Sequence, residues 1–184
     1  MSEMIVESTV SFSYPEFLYE QSKDKCRIVV GGSHGKTTIT SMIIHVLQQN
    51  GIDCDYMVGA QLAGFEVMVK LSESAKIMVI EGDEYLTSPI DRRPKFHLYQ
   101  PNIGIISGIA WDHVNVFPTF DIYVKQFEIF ANMIPADGRF IYCADDQVLN
   151  EMSRKITQTN KFPYSVHPFH ITGGISYLET AYGD

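Results

Sequence analysis

Apolar residues in this chain gather into short runs set between polar stretches rich in glycine and proline. Cys26-Arg27-Ile28-Val29-Val30, Lys76 to Ile80, Ile103-Gly104-Ile105-Ile106 and Ile141-Tyr142-Cys143 read as buried strands. Between them the period changes. Ile39, Met42, Ile43, Val46 and Leu47 recur at i, i+3, i+4, i+7 and i+8, which predicts one apolar helix face, with Gly51 placed to end the helix. Tyr123, Phe127, Phe130 and Ile134 mark a second helix face. Asp145 can cap a third helix carrying Val148, Leu149, Met152 and Ile156. Tyr14 to Gln21 reads as a short helix with Ser13 as N-cap and Pro15 in its first turn. Phe96 to Tyr99 reads as extended up to Pro101, and 55–59 and 65–71 as short strands around Gly59 and Gly64. From Lys161 onward two prolines and Gly173-Gly174 predict short strands and a hairpin.

Apolar strands alternating with helices predict an α/β fold: a mostly parallel sheet with helices on both faces and a few antiparallel strands. Residues 1–13 are expected to be a tail or linker, and 14–184 one domain. The hairpin reaches Asp184 without a closing element, so that domain is expected to be truncated at its C-terminal end.

The first strand runs into Gly31-Gly32-Ser33-His34-Gly35-Lys36-Thr37-Thr38, and a helix follows. Strand, glycine loop closing on Gly-Lys-Thr, then helix is the arrangement that cradles a nucleoside triphosphate. Glycines let the backbone wrap round phosphate with its N–H groups inward, and the helix adds its positive end. Gly32, Ser33, His34, Gly35, Lys36, Thr37 and Thr38 are therefore candidate ATP-binding residues. Lys36 would reach the β/γ-phosphates, and the Thr37 hydroxyl would hold Mg²⁺. Val30 stands where the full phosphate-loop pattern has its first glycine. The competing reading is an ordinary strand-to-helix turn with a surface lysine.

Two more chemical motifs follow predicted parallel strands: Glu81-Gly82-Asp83-Glu84 after 76–80, and Asp112-His113 after 103–106. Ligands of open α/β sheets bind beyond those strand ends, so the three motifs belong to one site. A carboxylate at the tip of a buried strand facing triphosphate is a natural Mg²⁺ ligand, which singles out Glu81. His113, beside Asp112, could be oriented by that carboxylate and touch metal or phosphate. Asp83 and Glu84 would cap or orient. Lys36, Glu81 and His113 are the candidate catalytic residues, and Thr37, Glu81 and His113 the candidate metal ligands. His45, His97, His167 and His170 carry no such context, and the spacing of His and Cys does not suit zinc.

Bulk properties narrow the partners. The chain has 184 residues, 45% hydrophobic and 20% charged, which suits one domain with a proper core. A net charge of −8 without a Lys/Arg cluster argues against nucleic acid or an anionic membrane surface as partner. No apolar run approaches the ~20 residues needed to span a bilayer. The cysteines Cys26, Cys54 and Cys143 lie far apart, which fits a reducing cytoplasm, and Cys26 and Cys143 are expected to be buried in strands.

In this order the three motifs resemble the Mur ligases, ATP-dependent amide-bond-forming enzymes of peptidoglycan synthesis. The family loop G-T-x-G-K-[TS]-[TS] is met by Gly32-Ser33-His34-Gly35-Lys36-Thr37-Thr38, with Ser for Thr. Its E-[AG]-D-E motif is met by Glu81-Gly82-Asp83-Glu84, and its D-H motif by Asp112-His113. Gly108 stands where the family often has Asn, and Ala110 where it often has an acidic residue. The resemblance covers 13–184 and implies the central ATP-binding domain of a three-domain ligase. It further implies ATP and Mg²⁺ as cofactors, UDP-N-acetylmuramate and a tripeptide as substrates with L-alanine as the alternative acceptor, and an acyl-phosphate route; Ser13 to Leu18, Glu81 to Tyr85 and Lys95 to Asn102 carry the resemblance to the tripeptide-using branch. In that route Glu81 and His113 serve a second Mg²⁺. A folylpolyglutamate synthase-like ligase, a nucleotide-binding module without ligase activity and, more weakly, a generic phosphate-loop kinase are the alternatives. The oligomeric state is not legible.

Overall fold

β1 (Cys26–Gly31) is flanked on both sides by parallel partners, so its side chains Val29 and Val30 see no solvent at all. The computed structural model describes residues 11–61, 67–166 and 168–178. Within them α1 (Tyr14–Glu20) precedes β1, and α2 (Lys36–Gln49), β2 (Asp55–Met57), β3 (Val69–Lys70) and β4 (Ile77–Glu81) follow. Then come α3 (Lys95–Leu98), β5 (Ile103–Ile106), α4 (Phe120–Asn132), β6 (Arg139–Cys143), α5 (Gln147–Lys155) and β7 (Asn160–Tyr164). β8 (Phe169–Thr172) and β9 (Ile175–Leu178) form a separate antiparallel hairpin turned by Gly173-Gly174.

The main sheet has the order β3-β2-β4-β1-β5-β6-β7 and is parallel throughout except for β3. That is the expected α/β fold. Of the tail expected over 1–13, residues 1–10 lie outside the described residues, as does part of the strand expected over 65–71. α1 starts where Ser13 and Glu16 form a capping box: Ser13 N–H donates to Glu16 Oε2 at 2.8 Å. α4 buries Tyr123, Phe127 and Phe130 as its spacing predicts, and Ile134 just beyond it is buried too. Phe96 stacks on Phe130 at 4.8 Å and meets Phe127 edge-on at 5.4 Å. Each such ring removed from water contributes roughly 1.5–3 kcal/mol.

Four expectations are corrected. Residues 95–98 are a turn of helix, not extended, because Pro94 sits at its N-cap and the N–H groups of Lys95 and Phe96 bond back to Tyr85 and Asp83 carbonyls. A four-residue turn is too short to show a period. The α5 cap is Asp146, whose carboxylate accepts the Leu149 N–H at 2.9 Å, while Asp145 instead accepts from Val166 N–H. Cys26 is exposed at the start of its strand, although Cys54 is buried. Finally, α2 is rotated from the predicted face. Thr40 and Ile44 point inward with Ile43 and Leu47 beside them, whereas Met42 and Val46 are 62% and 57% exposed. The glycine loop fixes where the helix begins, and the start fixes which side meets Cys54, Tyr56, Val58 and Val79.

Arg27 is a buried cation without a carboxylate partner among the described residues. Its guanidinium instead donates to the carbonyls of Tyr99 and Gln100 at 3.0 Å and of Ser22 at 2.7 Å, tying the end of α3 to the turn before β1. His97 is buried against Phe96, with its Nε2 2.8 Å from the Gln126 carbonyl. That acceptor requires the proton on Nε2. Burial pushes the His97 pKa below its ordinary value. Its stabilising effect is therefore present above the unfolded histidine pKa and is lost as pH falls toward the lowered folded one. We expect thermal stability to fall on acidification below about pH 6.5, and His97→Gln, which cannot charge, to flatten that part of the curve. An unchanged pH profile in the variant would rule His97 out as the responsible group.

Candidate nucleotide-binding and catalytic site

The three motifs leave the C-terminal ends of β1, β4 and β5, which are neighbours in the order β4-β1-β5. Parallel pairing alone therefore carries Lys36, Glu81 and His113 to one edge. The loop between β1 and α2 is tight. Gly32 has φ +125°, and a side chain there would meet the Ser107 hydroxyl and backbone, so glycine is required by both conformation and space. Ser33 N–H bonds the Gly108 carbonyl at 3.0 Å, and the Ser33 hydroxyl exchanges bonds with the Ala110 carbonyl and N–H at 2.7 and 2.8 Å. His34 is exposed, and its carbonyl accepts from Ser107 Oγ. Gly35, with φ +79°, is the N-cap of α2, so Lys36, Thr37 and Thr38 open the helix.

Lys36 Nζ donates to the Gly32 carbonyl and to Glu84 Oε2, each at 2.8 Å. The Thr37 hydroxyl donates to Glu81 Oε1 at 2.8 Å, and the Gly59 N–H to Glu81 Oε2 at 2.7 Å. Both Glu81 oxygens are thus held at the sheet edge. A side chain at residue 59 would come within 2.9 Å of that carboxylate, so the end of β2 needs glycine for the approach.

Glu84 is the residue that sequence reasoning undervalued. Its side chain is 0% exposed and gathers Lys36, the Tyr123 hydroxyl at 3.1 Å and His113 Nε2 at 3.5 Å. Tyr123 also meets Ser33 Oγ at 3.0 Å, so α4 is bonded directly to the phosphate loop. Burial and the nearby Glu84 and Asp112 carboxylates raise the Tyr123 pKa, the Ser33 bond opposing them, so the phenol stays protonated. Nothing in the pattern marks Tyr123, because a tyrosine on an apolar helix face reads as packing.

His113 has φ 54°, a left-handed conformation costly for a side-chain-bearing residue, and its N–H is held by Asp112 Oδ1 at 2.6 Å. Its ring lies edge-on to Tyr85 at 5.2 Å. Asp112 therefore orients His113, as its position suggested, mainly through the backbone. The carboxylates within ion-pair reach of His113 are Glu84 and Asp112, at 3.5 and 3.9 Å, rather than Glu81. Donor atoms of Glu84, Asp112 and His113 lie within 4.8 Å of one another. Asp83, named beside Glu84, is paired with Lys95 at 2.5 Å. Burial would raise its pKa, but that pairing and the Tyr85 N–H overcome it and the net shift is downward.

A cavity of about 400 Å³ adjoins this edge, with Lys36, Gly59, Glu81, Asp83 and Lys95 among its walls. A smaller one of about 250 Å³ lies beside Ser33, His34, Gly108 and Asp146. A larger cavity of about 510 Å³ opens among Lys23, Cys26, Asn102 and Arg139, near the beginnings of β1, β5 and β6, and touches no predicted site residue.

A parallel sheet whose central strand feeds a Gly-Lys-Thr loop, with an acid and a histidine on the two adjoining strand ends, defines a phosphate-loop nucleotide-binding domain. Residues 30–179 match the Mur ligase middle domain, and the chain belongs to the Mur ligase family. It is 33% identical over 151 residues to the UDP-N-acetylmuramate–L-alanyl-γ-D-glutamyl-meso-2,6-diaminoheptandioate ligase of Haemophilus influenzae, covering 81% of this chain and 33% of that protein. It is also 33% identical over 149 residues to the UDP-N-acetylmuramate–L-alanine ligase of Parabacteroides distasonis, covering 81% and 30%. Among solved structures, a murein peptide ligase of this kind from Neisseria meningitides superposes with a TM-score of 0.76 at 27% identity, over 84% of this chain and 51% of that one. A MurF ligase from Thermotoga maritima, solved with ADP, shares the fold with a TM-score of 0.67 at 13% identity, over 95% and 44%. The chain spans about a third of the length of these curated relatives.

Removing Lys36 alone strips a buried carboxylate of its counter-charge, which costs about 3–5 kcal/mol. We expect Lys36→Met to lower stability by that order, and Lys36→Met combined with Glu84→Gln to recover most of it. Urea denaturation of the two singles and the double measures the coupling. Additive losses would show that the pair is not energetically linked.

Proposed function

We propose that this domain binds ATP with Mg²⁺ and serves an ATP-dependent ligase that joins a peptide to UDP-N-acetylmuramate. The observation that carries the reading is the convergence of Lys36, Thr37, Glu81, Glu84 and His113 on one sheet edge through direct hydrogen bonds and an ion pair. The relatives' names support the substrate class, because both include UDP-N-acetylmuramate.

Gly32 to Thr38 cradle the phosphates with backbone N–H groups, and Lys36 stabilises the phosphoryl group in transit. Thr37 and Glu81 offer hydroxyl and carboxylate oxygens, the hard donors Mg²⁺ prefers, and so fit that ion. When bound, Mg²⁺ neutralises phosphate charge so that a carboxylate can approach. His113 contributes at the same edge as a ligand or a phosphate contact, in a set with Glu84 and Asp112. The substrate carboxylate attacks the γ-phosphate as the bond to the β-phosphate oxygen breaks and ADP leaves, giving an acyl phosphate; the neutral amine then displaces inorganic phosphate and loses a proton to give the amide. Lys36 exchanges Glu84 for the triphosphate when nucleotide arrives, while Tyr123 keeps Glu84 and Ser33 in place.

We place the amine substrate as the intact tripeptide L-alanyl-γ-D-glutamyl-meso-diaminopimelate rather than free L-alanine. Relatives of both kinds have similar identity to this chain, and Glu81 to Tyr85 with Lys95 to Asn102 favour the tripeptide branch. The segment 14–184 acts as the central domain in a cytoplasmic reaction, and by itself it binds nucleotide without ligating.

Three measurements test this. Trp111, the single tryptophan, lies next to Asp112 and His113 and donates to the Phe117 carbonyl, so its fluorescence should change as ATP and Mg²⁺ are added. The stability-neutralised double variant Lys36→Met/Glu84→Gln should lose at least about tenfold in ATP affinity, the worth of a charge-assisted bond. Equal affinity in the double variant would refute the phosphate-loop assignment. In the full-length protein, competition between equal tripeptide and L-alanine should favour the tripeptide, and faster use of L-alanine would move the substrate to the other branch.

A further inference from the structure

Asp146 is one carboxylate serving two elements. Its Oδ1 caps α5 by accepting the Leu149 N–H at 2.9 Å, and its Oδ2 accepts the Ile109 N–H at 2.7 Å. The helix does not need the second bond, because an N-cap uses a single side-chain oxygen and serine does that as well as aspartate. The bond instead reaches back to segment 107–110, which follows β5 and leads into Asp112 and His113.

That segment lies against the phosphate loop through its backbone. Ser107 N–H donates to the Gly31 carbonyl at 3.1 Å, Ser33 N–H to the Gly108 carbonyl at 3.0 Å, and Ala110 N–H to the Ser33 hydroxyl at 2.8 Å. Ile109 N–H, within the same segment, bonds away from the loop, to Asp146. Side chains do little to hold the segment. Gly108 has none, Ala110 is exposed, and the Ser107 hydroxyl is itself bonded to the loop at the His34 carbonyl. Ile109 alone is packed in the core. A cavity of about 250 Å³ lies among Ser33, His34, Gly108 and Asp146, so the space between the loop and the start of α5 is bridged rather than filled.

We propose that Asp146 is a positioning residue for the phosphate loop. By fixing Ile109 it sets where segment 107–110 lies, and through Ser33 it sets where the backbone N–H groups of the loop point. The assignment rests on the phosphate-loop reading above and extends it to a residue that acts through Ile109. The loop is then held from two helices, by Tyr123 of α4 directly at Ser33 and by the cap of α5 through Ile109. N–H groups held in place beforehand need no rearrangement when an anion arrives, so releasing them shows in nucleotide affinity.

The test is Asp146→Ser in the full chain, with binding of ATP and Mg²⁺ measured by calorimetry. Serine keeps a cap oxygen for Leu149 but is too short to serve Ile109 as well. The Kd for ATP should rise about fivefold, the worth of one hydrogen bond, while the melting temperature falls by no more than about 4 °C. Loss of a negative charge would by itself favour an anionic ligand, so electrostatics alone predicts the opposite sign. An unchanged or lower Kd reduces Asp146 to a helix cap and overturns the proposal, leaving the phosphate-loop reading intact. Combination with Ser33→Ala tests the route. The double variant should raise the Kd by clearly less than the product of the two separate factors, and a full product overturns the route through Ser33. Hydrogen exchange at the Ile109 amide needs no variant: ATP with Mg²⁺ should slow it severalfold in the unaltered protein, and an unchanged rate also overturns the proposal. If the unaltered protein binds no ATP, the phosphate-loop reading fails and the role of Asp146 fails with it.

Discussion

A carboxylate shut away from water must find its compensating charge inside the protein, and Glu84 finds it in Lys36. The ion pair joins the β1–α2 loop to the segment that follows β4, so the phosphate loop is held by chemistry as well as by chain connectivity. Tyr123 adds a neutral bond to the same carboxylate and another to Ser33, and His113 approaches from beyond β5. Four separate stretches of chain meet at one buried acid. Loss of any donor leaves Glu84 less well satisfied, which links the integrity of the loop to the packing of α4 and to the turn at Asp112-His113.

The same pairing occupies Lys36: its ammonium is held by Glu84, which also faces His113 and Tyr123. Glu81, by contrast, is held through Thr37 and Gly59, so the two acids of one motif have different partners. Glu81 faces the Thr37 hydroxyl at the helix start, and Glu84 governs the lysine. Their separation follows from the strand. Glu81 is the last residue of β4, and after it the chain leaves the sheet and turns inward, burying Glu84.

Much of this was legible in the chain because it depends on local rules. Continuous apolar runs marked β1, β4, β5 and β6, and parallel pairing then placed Gly-Lys-Thr, Glu81 and His113 together. The Ser13–Glu16 box and the Gly173-Gly174 turn were likewise local signals. Misreadings arose where rotation or depth decides. The spacing of Ile39, Met42 and Val46 describes a helix correctly but not which side of it faces the sheet, and the phosphate loop turned Thr40 and Ile44 inward instead. Residues 95–98 are too few to display a period.

The sequence by itself determined the α/β class, the phosphate loop, the order of the motifs and their common edge, since each is set by a few neighbouring residues and by the handedness of parallel connections. Only the tertiary structure decided that Glu84 rather than Glu81 meets His113 and that Tyr123 uses its hydroxyl on the loop. These depend on contacts across tens of residues and on how far each polar atom lies from water. A one-dimensional pattern carries the periodicity of a helix or strand, but neither the direction of a side chain nor the dielectric around it.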